Sequence, residues 1–291
     1  MSYYIFSDVS LDIDKEFSEK NDIRYIPMDY VLGEEEFHCT APEDDIMMHN
    51  FYDKLRQKIT THTSQITPSH YIEVFTPFVE NKEEILYLSL SSGLSNTYDS
   101  ALMAVNMLKD EYEDVKIEVV DSLGATGGIG LLIESAVKNR NDGMSLEENA
   151  DWLRKHAVNV NYWFKVEDLM YLKRGGRVSA TTALVGTALN IKPILTVNKD
   201  GRLESIDKKR GSKLAYKSMI ERFEKNFDKS LGNIIYICCA DCMEDAKLVK
   251  ESIMENHPDI VVRTTMLSPI IGAHTGPDML ALIYYGQERE F

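Results

Sequence analysis

Apolar positions recur along this chain in two periods, and the switching between them outlines the secondary structure. Tyr3 to Phe6 reads as a first strand, followed by a polar turn, Ser7-Asp8-Val9-Ser10. Ile23 to Val31 is a second strand candidate, and Glu36 to His38 a short third one after Gly33. Ile46, Met47, Phe51, Leu55 and Ile59 recur at helical spacing within Glu43 to Ile59. Thr67 before Pro68 supplies an N-cap and a proline at the first helical position. Tyr71, Val74, Phe75, Phe78 and Val79 mark the buried face of that helix. The most informative stretch is Ile85 to Leu108. Ile85, Leu86, Tyr87, Leu88 and Leu90 form an apolar run suited to a strand buried on both faces. Ser91 to Thr97 form a turn of small and hydroxyl residues, and Tyr98, Ala101, Leu102, Val105 and Leu108 restore the helical period.

Such a strand, turn and helix N-terminus can receive an anion, because free backbone N–H groups and the helix dipole point into the turn. The plainer alternative is that Ser95 or Asn96 simply caps the helix. Further on, Lys116 to Val120 reads as a strand ending in Asp121-Ser122, and GATGGIG (Gly124 to Gly130) leads into an apolar helix. Ser145 and Glu148 have capping-box spacing. After a boundary near Val158 to Asn161, YWFKV looks like a strand and Asp168 to Lys173 a short helix ending at Gly175-Gly176. Ala180 to Leu195 is almost uncharged, and Pro193 to Val197 with Leu203 to Lys208 reads as a hairpin around Asp200-Gly201. Two helix–strand units follow, with strands at Asn233 to Cys239 and Ile260 to Met266. AHTGPD then forms a turn before a last strand, Leu280 to Tyr285. The alternation predicts two α/β domains: residues 1–158 around a doubly wound, mainly parallel sheet, and residues 159–291 as a second α/β unit, with a cleft between them.

Composition sharpens this picture. At 291 residues, 44% hydrophobic and 27% charged, the chain has the make-up of a soluble globular protein with two domains. No apolar run approaches the ~20 residues that would span a bilayer, the N-terminus lacks a signal-peptide pattern, and four cysteines without framework spacing fit a reducing cytoplasm. A net charge of −15 argues against nucleic acid. Basic residues are clustered all the same, at Lys173, Arg174 and Arg177 and again at Lys208, Lys209 and Arg210, either as solvated faces or toward an anionic ligand or acidic partner.

Several chemistries lack their residues. GATGGIG has the wrong spacing for a dinucleotide fingerprint, and Asp121 precedes the glycines instead of following them; close helix packing explains them better. No G-x-S-x-G elbow, P-loop or H-E-x-x-H motif occurs. Cys239-Ala240-Asp241-Cys242 is a C-x-x-C with Cys238 beside it, but a fourth ligand for zinc is missing nearby, and buried inert cysteine is the simpler reading. Two rivals to a binding function stay open: a lipid-ester hydrolase using a serine of the SSGLS turn, and a C-x-x-C redox protein.

Taken together, Asp8 in the first turn, TSQ from Thr63, SSGLSNTY from Ser91, VVDS, LKRGGRVS from Leu172, LNIKPIL from Leu189 and IGAHTGP from Ile271 resemble the DegV family, in family order across nearly the whole chain. The resemblance implies a bacterial, non-enzymatic carrier of long-chain fatty acids, without cofactor or metal. It presents the carboxylate to a separate ATP-dependent fatty acid kinase subunit for acyl-phosphate formation, feeding phospholipid synthesis. It also implies that Thr63, Ser95 (or Ser92) and His274 hold the carboxylate, with Arg177, Ser64 and Asn96 in the head-group neighbourhood or against the partner. The uncharged Ala180–Leu195 stretch would line the tail. The chain departs from the family pattern at Val9, Ile66, Asn96 and Asp278, and the carboxylate trio is intact.

Overall fold

The structure is a computed structural model and describes residues 3–40, 45–179 and 190–289, apart from the side chain of Asp45. A parallel sheet is made by β1 (Tyr4–Asp8), β2 (Ile23–Ile26), β6 (Ile85–Ser89) and β7 (Ile117–Asp121), in the order β2-β1-β6-β7. Every residue of β6 is buried, as the apolar run predicts for a strand covered on both faces. Helices α3 (Pro68–Glu80) and α4 (Thr97–Glu111) pack together, as do α5 (Gly127–Asn141) and α6 (Leu146–His156). The caps read from sequence are in place: Thr67 accepts from His70 N–H, and Ser145 with Glu148 closes a capping box.

The candidate strand Ile23 to Val31 proves to be two. Proline has no N–H to donate to a ladder, and at Pro27 the chain leaves the parallel sheet. It enters a separate antiparallel sheet of β3 (Met28–Leu32), β4 (Glu35–Cys39) and β5 (Thr61–Thr63), ordered β4-β3-β5. Helices α1 (Lys15–Lys20) and α2 (Asp45–Arg56) precede β2 and β5. Of the helix expected from Glu43, the first two residues lie outside the described residues, and the helix stops at Arg56.

The third sheet has six strands: β8 (Val160–Lys165), β9 (Ile191–Val197), β10 (Leu203–Arg210), β11 (Ile234–Cys239), β12 (Val261–Met266) and β13 (Leu280–Tyr285), in the order β10-β9-β8-β13-β11-β12. All neighbours are antiparallel except β11 and β12. Side chains alternate between its faces. Trp163, Ile194, Ile237 and Leu282 pack with residues of α8 (Ser212–Asn226) and α9 (Met243–Asn256). Tyr162, Phe164, Val197 and Ile283 join the core shared with the parallel sheet. Between the two sheets runs α5, buried along most of its length and touching β1 and β6 on one side and β8, β11 and β13 on the other. A Cβ at Gly128 would stand 2.1 Å from Tyr162 Oη, so close helix–sheet packing accounts for the glycine-rich segment. Two short helices, α7 (Met170–Arg174) and α10 (Pro269–Thr275), lean on each other beside this junction.

Candidate functional site

A cavity of about 430 Å³ lies where the parallel sheet, the small sheet and the six-stranded sheet meet. It sits beyond the carboxyl end of β6. Strand order reverses between β1 and β6, the place where open parallel sheets leave a crevice for ligands. Asp8, at the end of β1, builds this corner. Its buried carboxylate accepts from Ser10 N–H at 3.0 Å, from Tyr87 Oη at 3.0 Å and from Leu90 N–H at 3.0 Å. It thereby ties the end of β1 to the start of the turn after β6.

That turn is fixed from three sides. Ser91 Oγ accepts from Gly93 N–H at 3.1 Å and donates to Gly201 O at 2.9 Å, and Asp121 accepts from Ser92 N–H at 3.2 Å. A Cβ on Gly93 would lie 2.6 Å from Asp200 O, so the tip of the β9–β10 hairpin seats directly on the turn. Of the two candidate caps, Ser95 Oγ receives Thr97 N–H at 3.3 Å, while Asn96, at the N-cap position, makes no side-chain cap bond. Ser95 Oγ also hydrogen-bonds Thr97 Oγ1 at 2.8 Å.

All seven residues singled out from sequence line this one cavity: Thr63, Ser64, Ser92, Ser95, Asn96, Arg177 and His274. Thr63 Oγ1 and His274 Nε2 lie 2.9 Å apart although 211 positions separate them in the chain. His274 belongs to α10 and not to a turn; Pro269 opens that helix and Gly276, with φ of +75°, ends it. The ring packs against Gly175, where a Cβ would stand 2.4 Å from Nδ1. Burial, and then the nearby Arg177 charge, push the His274 imidazole down to about 4 from 6.5, so it is neutral near pH 7. Arg177 is half-buried and donates through Nε to Leu94 O at 3.0 Å and through Nη1 to Gly175 O, clamping the serine turn to the Gly175-Gly176 loop. The mouth therefore carries a cation, a neutral imidazole and several hydroxyls, a donor set suited to an anionic head group.

Apart from Gln65, Thr126 and Thr275 the remaining side chains of the lining are mainly apolar, and most of this wall escaped the sequence reading. Tyr162 and Phe164 from β8, Val197 from β9, Ala281 and Ile283 from β13, and Ile270 and Ile271 from α10 line it. The signal was present as uninterrupted apolar runs, but these strands are buried on both faces and the runs do not say which face meets a ligand. Of the tail wall expected at Ala180 to Leu195, residues 180–189 lie outside the described residues, and Leu195 is buried in the core next to Val197. The Lys208–Arg210 cluster does not gather at the mouth. Leu203 lines the cavity, but Arg210 is seven residues further along β10, ~23 Å away at strand rise. No group of three or more His, Cys, Asp or Glu suited to a metal occurs among the described residues. No described helix is long and apolar enough to cross a membrane.

Comparison with known proteins agrees with this architecture. The family model described as "Uncharacterised protein, DegV family COG1307" matches residues 2–287. The DegV domain-containing protein CPE0026 of Clostridium perfringens is 34% identical over 288 residues, covering 99% of each chain. A Thermotoga maritima protein whose structure is described as revealing fatty acid binding function superposes with a TM-score of 0.82 at 26% identity, over 98% of this chain and 99% of that one. The Streptococcus pneumoniae fatty acid kinase B3 protein, solved with linoleic acid, has a TM-score of 0.83 at 20% identity, over 99% and 100% of the two chains, and shares the fold. With its family model matched from end to end and its two α/β units in place, the chain belongs to the DegV family.

Proposed function

We propose that this protein binds one long-chain fatty acid in the cavity and presents its carboxylate to a separate kinase subunit, without itself catalysing a reaction. The observation that carries the reading is the mixed lining of one cavity: seven polar residues of the family motifs together with apolar side chains from β8, β9, β13 and α10. A cavity of about 430 Å³ is within the range of small-ligand sites. Burying a tail of ~16 carbons contributes ~10 kcal/mol gross, offset in part by ordering the tail. Thr63 and His274 bracket one side of the head group and Ser92 and Ser95 the other, with Arg177, Ser64 and Asn96 around them.

The proposed division at residues 1–158 and 159–291 places the parallel sheet before it and all six strands of the large sheet after it, so the head group is held from both halves. The fatty-acid-binding relative from Thermotoga and the kinase B3 protein from Streptococcus support the lipid and the kinase partner respectively. The ester-hydrolase rival is weakened by geometry, because His274 Nε2 engages Thr63 and Ser95 Oγ engages Thr97. Denaturing mass spectrometry of the purified protein tests the reading. Stoichiometric long-chain fatty acid is the expected result. No bound lipid, together with ester turnover abolished by Ser95→Ala, overturns it. Acyl-phosphate formation with an added kinase subunit and ATP tests the partner.

A further inference from the structure

The C-x-x-C segment lies on the face of the large sheet away from the cavity. Cys239 ends β11 among residues packed under α8 and α9, and Cys242 occupies the N-cap position of α9. Asp241 turns the chain between them with φ of +58°. Sulfur atoms converge here: Cys239 Sγ lies 3.3 Å from Met243 Sδ, and the two thiols stand within hydrogen-bonding reach of each other. Cys242 Sγ also donates to Met279 O at 3.2 Å, and Met279 lines the cavity on the other side. Cys242 is partly exposed, whereas Cys239 is buried. The hydrogen bond from the Cys242 thiol is the first cause that lowers the proton affinity of Cys239, against burial, Asp241 and Asp245; the same bond and burial raise Cys242, the thiol that keeps its proton. Cys238 is a built-in contrast. It points to the opposite face, receives a hydrogen bond from Thr265 at 3.3 Å, and its thiol is pushed up to about 12 by burial.

We propose that Cys239 and Cys242 are a reversible dithiol–disulfide site that takes oxidising equivalents from a peroxide. The Cys239 thiolate, held by the Cys242 thiol, attacks one peroxide oxygen, the O–O bond breaks, and a sulfenic acid and hydroxide form; the hydroxide takes up the proton that the Cys239 thiol had lost. The Cys242 sulfur then attacks the Cys239 sulfur, the S–S bond forms, and the sulfenic oxygen leaves as water with the Cys242 proton. Two thiols and one hydrogen peroxide give one disulfide and two waters. Once closed, the bridge removes the Cys242 donor from Met279 O, while Ala240 N–H still reaches that carbonyl at 2.8 Å, so the cavity wall senses the change without losing its anchor.

The test uses the full chain, reduced, desalted and treated with equimolar hydrogen peroxide, then alkylated and digested with trypsin. The peptide Ser230–Lys247 holds Cys238, Cys239 and Cys242. The expected result is a peptide lighter by two hydrogens that takes one label, on Cys238, with all three sites labelled again after dithiothreitol. Cys238→Ser should keep the bridge, and Cys242→Ser should abolish it. Three labels after peroxide, or a bridge that survives Cys242→Ser, overturns the proposal. Oxygen gained on Met243 with both cysteines still labelled also overturns it.

Discussion

His274 gives the sharpest test, because its ionisation is set by the packing that builds the site. Burial is the larger cause of its low proton affinity and the Arg177 guanidinium the second. The imidazole of the unfolded chain takes a proton near 6.5, while the folded, lipid-free protein resists until about 4. Between those values the unfolded state binds more protons, so stability rises with pH there. The contribution is fully present above about 6.5 and is lost as pH falls through about 4. Each tenfold in proton affinity is worth about 1.4 kcal/mol, so the whole loss is about 3 kcal/mol, less to the extent that solvent reaches the ring. His274→Gln keeps an amide nitrogen for Thr63 Oγ1 but does not titrate. Urea unfolding of delipidated protein and variant, from pH 8 to pH 4, should therefore give two curves that run parallel above neutrality. Below pH 6 the parent should lose stability faster than the variant, by up to about 3 kcal/mol at pH 4. Curves that stay parallel to pH 4 would refute the assignment of a buried, neutral His274.

A fatty carboxylate beside the same ring should raise its proton affinity, so binding near pH 6 should take up a fraction of a proton in the parent and none in His274→Gln. Calorimetry in two buffers of different ionisation enthalpy measures this. Thr63→Val removes the hydroxyl that meets His274 and a proposed donor to the head group; it should weaken fluorescent fatty acid binding by ~1 kcal/mol, read by titration. Gly93→Ala drives a methyl into Asp200 O, so the β9–β10 hairpin must lift from the serine turn, costing ~1–3 kcal/mol in denaturant melts. Asp8→Ala takes the acceptor from the buried Leu90 and Ser10 N–H groups and leaves the Tyr87 hydroxyl only Tyr71 of its two hydroxyl and carboxylate partners; a loss of ~3 kcal/mol or failure to fold is expected, checked by thermal unfolding.

Local signals carried much of this protein. The caps at Thr67 and Ser145, the β6–turn–α4 unit and the hairpin around Asp200-Gly201 depend on residues within a few positions of one another. The hairpin shows why: Asn198 Oδ1 accepts from Asp200 N–H at 3.1 Å and Arg202 N–H at 2.9 Å, and Gly201 supplies φ of +72°. The family motifs likewise identified the seven residues that gather at one cavity, because each motif is a short run. Tertiary structure alone decided the rest. Pro27 was visible, but only the pairing of β2 and β3 in different sheets shows that it divides two strands. His274 looked like a turn residue because α10 is a mere seven residues long and rests on α7 and α2. The apolar wall could not be read because β8 and β13 are buried on both faces, which erases the period of two that would tell ligand-facing from helix-facing residues. Arg210 and Arg177 looked alike as charges in sequence, yet strand rise carries one away from the mouth while the Leu94 carbonyl holds the other at it.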